Sequence, residues 1–136
     1  MRTLSKGLVL LILTLVAGAA AARSSVPIVN LENNVITPRA GHTLSLEEVQ
    51  HAIAAAGRRS GHWGVADSAP GKVRLNLLTR GHQAVVEVTF DTHQYSIRYV
   101  SSSNLNYEKT AKGELIHPKY NAWVQHLKNA IDQQLE

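Results

Sequence analysis

Residues 72–100, KVRLNLLTRGHQAVVEVTFDTHQYSIRYV, decide the fold. Val73, Leu75 and Leu77 alternate with Lys72, Arg74 and Asn76. Ala84, Val86, Val88 and Phe90 alternate with Val85, Glu87 and Thr89, and Tyr95, Ile97 and Tyr99 with Ser96, Arg98 and Val100. A period of two is that of strands with one face in a core and one in water. Only Arg80-Gly81-His82 and Asp91-Thr92-His93-Gln94 separate the three runs, and such short links force antiparallel neighbours. Upstream, His62–Asp67 reads as a fourth strand, joined through the turn Ser68-Ala69-Pro70-Gly71.

Helices flank this meander. Ser45 stands three residues before Glu48, the spacing of a capping box, in which each side chain satisfies an orphan amide of the first turn. Leu44 and Val49 are placed to close a hydrophobic staple. Leu46, Val49, Ile53 and Ala56 repeat at helical spacing, and Gly57 reads as a left-handed C-cap. The expected helix is Leu46 to Ala56. A second helix starts at Pro118, a residue suited to the first helical position because its missing N–H has no helical partner to lose. Tyr120, Val124, Leu127 and Ile131 form its apolar stripe. Ser101 to Leu115 is polar and is expected to end the regular pattern. The fold class is therefore α+β: a four-stranded antiparallel meander with an N-terminal and a C-terminal helix on one face.

The N-terminal part of the chain differs in character. Residues 1–22 carry Arg2 and Lys6, an apolar run from Gly7 to Gly18 and four alanines before Arg23, the layout of a secretory signal peptide. The run is shorter than the roughly 20 residues a membrane-spanning helix needs. Cleavage near Ala22 leaves 114 of the 136 residues, enough for one domain with a real core. The expected organisation is a signal peptide at 1–22, an extended arm at 23–43 and one domain at 44–136. The location implied is the periplasm or the exterior.

Composition narrows the function classes. The 14 Lys and Arg fall to 12 when Arg2 and Lys6 are removed, against 10 Asp and Glu, a net charge near +2. That is too little to argue for nucleic acid or for an anionic membrane surface. There is no cysteine, hence no disulfide, no thiol nucleophile and no lipidation site after the apolar run. None of the seven histidines has a partner at the i, i+4 or His-x-His spacing that aims two rings at one metal. No glycine elbow surrounds Ser101–Ser103. No cofactor, metal or catalytic set is implied.

Two surfaces remain as binding candidates. In the meander register, Glu87 faces Arg74 on one side and Arg98 on the other. Two guanidinium groups around one carboxylate leave donors for a carboxylate or phosphate; the plainer reading is an exposed cross-strand ion pair. The second candidate is the segment rich in flat, hydrogen-bonding side chains: Ser102, Asn104, Tyr107, His117 and Asn121. It reads either as a polar groove or as a loop tied to the core, with His117 capping the last helix and the asparagines satisfying turn amides.

The run YSIRYVSSSNLNY (95–107) followed by IHPKYNAWVQHL (116–127) resembles a family of small exported proteobacterial proteins of lipoprotein or periplasmic type. The likeness extends over GHWGV…PGKVRLNLLTRGHQAVVEVTFD and covers about Leu44 to Leu135. It implies an exported single domain without implying an activity. The cysteine of lipoprotein-type relatives is missing, so an anchor is not carried over. The expectation is an exported, non-enzymatic binding or accessory domain of the bacterial cell envelope, with an envelope protein or a small anion as partner. The alternative is a small hydrolase-like envelope enzyme using His117 with Ser102 or Tyr107.

Overall fold

The computed structural model describes residues 24–136; the signal-peptide segment expected at 1–22 lies outside them. The elements run β1 (Val26–Pro27), β2 (Leu31–Val35), α1 (Leu46–Arg59), β3 (Gly64–Ala69), β4 (Lys72–Thr79), β5 (His82–Phe90), β6 (Gln94–Ser103), β7 (Glu108–Thr110), β8 (Gly113–Ile116) and α2 (Pro118–Leu135). The class is α+β, with two helices and antiparallel sheets.

The meander has the pairing that alternation and turn chemistry dictate. Arg74 stands opposite Glu87, Val73 opposite Val88, and Phe90 opposite Tyr95. Arg80 and Gly81 both have positive φ, 47° and 80°, the conformation of a two-residue turn whose twist matches the strands it joins. Asp91 closes the next turn, its Oδ1 accepting the His93 and Gln94 amides at 2.6 and 2.8 Å.

The sheet has five strands rather than four. The lead-in segment supplies the fifth: β2 pairs antiparallel with β6, in the order β2-β6-β5-β4-β3. The segment also supplies β1, which joins β8 and β7 in a small second sheet. The polar stretch expected to be irregular from Ser101 thus holds the end of β6 and the β7–β8 hairpin. Asparagines, which strands disfavour, hid β2 from a propensity argument. The register shifts between Leu31 and Asn34, and Asn34 Nδ2 donates to the Leu31 and Tyr95 carbonyls at 3.0 and 2.9 Å. Asn33 sits at φ 53°, a conformation asparagine tolerates better than most residues.

One apolar core joins the layers. Val73, Leu75, Leu77, Ala84, Val86, Val88, Phe90, Tyr95 and Ile97 enter it from the sheet. Val49, Ile53 and Ala56 enter from α1, and Tyr120, Val124, Leu127, Ile131 and Leu135 from α2. Tyr95 pins α2 down from below: its hydroxyl donates to Asp132, which also holds Lys128 at 2.6 Å. Burial, then the Asp132 carboxylate, push the Tyr95 phenol far above its ordinary range.

The helix starts are as the sequence implies. Ser45 Oγ accepts the Glu48 amide at 3.1 Å, and Pro118 opens α2 behind His117. The Glu48 carboxylate lies 3.2 Å from the His42 ring, so it reaches outward to the lead-in. The end of α1 corrects the expectation at Gly57. The helix continues to Arg59 and is closed by Ser60, whose amide reaches the Ala56 carbonyl at 2.9 Å. Gly57 is buried inside the helix, where an added Cβ would meet the Trp63 Cβ and carbonyl oxygen at 3.2 Å. The residue is small because Trp63 crosses it.

Candidate functional site

The outer face of the five-stranded sheet carries a row of alternating charge. Register places Asp67 opposite Arg74, Arg74 opposite Glu87 and Glu87 opposite Arg98. Glu32 on β2 ends the row. At a strand spacing of about 4.8 Å the row spans roughly 19 Å. Arg74 Nη2 lies 3.1 Å from Glu87 Oε2, and Lys72 Nζ 3.4 Å from Glu87 Oε1. These two cations, Arg74 foremost, hold the Glu87 carboxyl below its ordinary range.

Arg98 is placed as the register requires but spent differently. Its Nε and Nη2 grip the Glu32 carboxylate at 2.8 and 2.7 Å, and Nη1 donates to Thr89 Oγ1 at 2.9 Å. Arg98 keeps the Glu32 carboxyl below its usual range, and Glu32 raises Arg98 in turn. The expectation that Arg98 leaves an open fork beside Glu87 is corrected. The sequence argument had no β2, hence no Glu32.

The row is flanked by apolar side chains. Leu78 pairs with Gln83 and Val85 with Asn76, so Leu78 and Val85 are diagonal neighbours on this same face. Leu78 is 67% exposed, and Val35 at the β2 edge 74%.

The second candidate surface is organised by a bulge. Val86 pairs with Tyr99 and Val85 with Ser101, leaving Val100 as the extra residue. The bulge turns Ser102, opposite buried Ala84, to the same side as Tyr99. Their hydroxyl oxygens lie 2.8 Å apart. Strict alternation would have put Ser101 there. Tyr99 stacks on Tyr107 at 5.1 Å and 10°, and meets Tyr120 edge-on at 5.5 Å and 82°. Tyr107 donates to Glu114 Oε1 at 3.0 Å; desolvation and that carboxylate raise its phenol.

The remaining candidates of this segment have structural tasks. His117 Nδ1 accepts the Lys119 amide at 3.0 Å and caps α2. Asn121 takes the Val29 amide at 3.1 Å and donates to the Pro27 carbonyl at 2.9 Å, which ties β1 to α2. Asn104, at φ 59°, passes its carbonyl to His82 Nδ1 at 2.7 Å and its side chain to the Gly81 carbonyl at 3.4 Å. Ser102, Tyr107 and His117 are thus each bound to a different neighbour: Tyr99, Glu114 and the α2 backbone.

Among the described residues, no group of three or more His, Cys, Asp and Glu is arranged to hold a metal ion. No described helix is long and apolar enough to cross a membrane. The chain matches no family model, no curated protein and no solved structure.

Proposed function

We propose that the chain is an exported, non-enzymatic binding domain of the bacterial cell envelope, whose working surface is the outer face of the five-stranded sheet. The proposal takes export from the signal-like layout of residues 1–22 and from the resemblance to small exported proteobacterial proteins. The observation that carries the binding surface is the five-position charge row Asp67–Arg74–Glu87–Arg98–Glu32 on an uncovered sheet face. A small anion gains little there, because a carboxylate already faces each guanidinium. A protein surface with the opposite alternation gains at every position, and fixed charges specify partners more than they add raw affinity. Leu78 and Val85 beside the row supply the apolar contact such an interface needs. The partner is therefore an envelope protein rather than a small anion.

The test is capture from envelope extract by three forms: the wild-type chain, the Arg74→Ala/Arg98→Ala double variant and the His117→Ala variant. The proposal predicts a discrete protein partner that is lost with the double variant and kept with His117→Ala. Equal capture by all three forms, or loss with His117→Ala alone, contradicts it.

A further inference from the structure

On the helix side of the sheet, a cleft of about 340 Å³ opens between the β4–β5 turn and α2, lined by Thr79, Arg80, His82, Lys119 and Trp123. Three of these five side chains are basic or ionise to a cation, and none is acidic. Among the described residues, neither Arg80 nor Lys119 has a carboxylate within 4.0 Å. This contrasts with the outer face, where Lys72, Arg74 and Arg98 are all paired.

The aromatic wall is held in place. His82 and Trp123 have ring centroids 6.2 Å apart at 55°. The Asn104 carbonyl can only accept, so His82 Nδ1 carries the hydrogen of that 2.7 Å bond, and Nε2 is left as the ring's remaining polar atom. Trp123 is half-buried, with part of its ring face available for stacking.

Arg80 adds an independent sign. It sits at φ 47° in the two-residue turn, where Asn, Asp or Gly is the unstrained choice. An L-residue with a Cβ branch of this size adopts that conformation at a cost of about 1–2 kcal/mol. The chain accepts that cost at the one turn whose side chain lines the cationic cleft, and strain of this kind gathers where a site needs it.

We infer that this cleft is a binding site for a small acidic ring compound, a carboxylate or phosphate carried on a sugar or aromatic ring. The anion meets Arg80 and Lys119, and the ring lies against Trp123. Arginine offers the forked donors that fit such an oxyanion, and lysine a mobile point charge. An indole face accepts either an aromatic ring or the C–H face of a sugar. The site lies on the opposite side of the sheet from the charge row and stands independently of the function proposed for that face.

The experiment uses the two tryptophans. Trp63 is 1% exposed, so a ligand-induced change in emission belongs to Trp123. The chain is titrated with glucuronate, glucose 6-phosphate and benzoate, beside inorganic phosphate and neutral glucose. A saturable change with at least one ring anion, weaker with phosphate and with glucose, supports the site. The best of the three arms then says whether the ring is a sugar or an aromatic. In calorimetric titration, Arg80→Asn/Lys119→Ala weakens that ligand by about tenfold or more, since each charged hydrogen bond lost is worth at least that factor. Arg80→Asn alone raises the thermal midpoint while lowering affinity, because it relieves the turn as it removes the cation. No saturable response to any ring anion, equal response to inorganic phosphate, or unchanged affinity in the double variant overturns the inference.

Discussion

Gly57 gives the sharpest test of how the helix layer meets the sheet. The perturbation is a pair of substitutions, Gly57→Ala and Gly57→Asn. In the structure Gly57 is a helical, buried residue, and a Cβ there comes within 3.2 Å of the Trp63 Cβ and carbonyl oxygen and 3.5 Å of Leu75 Cδ1. The first two atoms belong to or adjoin backbone, so they yield only if the α1–β3 connection moves. Alanine gains about 1 kcal/mol of helix propensity over glycine. Overpacking a closed contact costs roughly 1–3 kcal/mol, so the net loss is about 0–2 kcal/mol. Asparagine meets the same contact with a larger side chain and adds a buried amide, costing a further 1–3 kcal/mol or so if it stays unpaired. The predicted order is wild type, then Ala, then Asn. A left-handed cap gives the reverse order for the two variants, because asparagine is tolerated there and alanine is not. Urea denaturation of the three forms, with the slope checked for constancy, decides between them. An asparagine variant more stable than the alanine variant would refute the close approach to Trp63.

Two further predictions concern the edges of the fold. Glu32 and Glu87 have carboxyls held below their ordinary range by Arg98 and by Arg74 with Lys72. Their contribution is therefore present above about pH 4.3, the usual glutamate value, and is lost as pH falls through the lowered folded values. Both lie at the surface, so each is worth less than about 1 kcal/mol and fades with added salt. Thermal midpoints of wild type and Glu87→Gln between neutral pH and pH 3 should converge at the acid end; parallel curves would count against the ion pairs. Asn121→Ala removes both hydrogen bonds that hold Pro27 and Val29, at a cost of about 1–2 kcal/mol. Hydrogen exchange should accelerate at the Val29 amide while the Val86 and Val88 amides stay protected; acceleration throughout the sheet would contradict a local tie.

The elements visible in the sequence are those whose cause is local. Alternation from Val73 to Tyr99 set the register, and with it the apposition of Arg74, Glu87 and Arg98. Ser45 and Pro118 announced two helix starts. What stayed hidden depends on partners distant in the chain. Asn33 and Asn34 argue against a strand until the Tyr95 carbonyl and the Ser96 hydroxyl take up Asn34 Nδ2 and the Asn33 amide at 2.9 Å each. Glu32 then becomes the partner of Arg98, which no periodicity reveals. Val100 looks like one more alternating residue, yet as a bulge it moves Ser102 rather than Ser101 beside Tyr99. Gly57 has the composition of a cap, and only the path of Trp63 shows it to be a contact. The asparagine, histidine and tyrosine cluster could be read as a groove or as ties to the core; Asn104, His117 and Asn121 bind backbone groups in the manner of ties.

The central claim is that the uncovered sheet face meets another protein. A photo-crosslinkable side chain at Leu78, 67% exposed on that face, tests it most directly in cells that make the full chain. The same side chain at exposed Gln125 on α2 serves as the comparison. The account predicts a discrete protein adduct from position 78, abolished when Arg74 and Arg98 are both alanine, and none from position 125. An adduct from position 125 alone, or one from position 78 that persists without the two arginines, would contradict it.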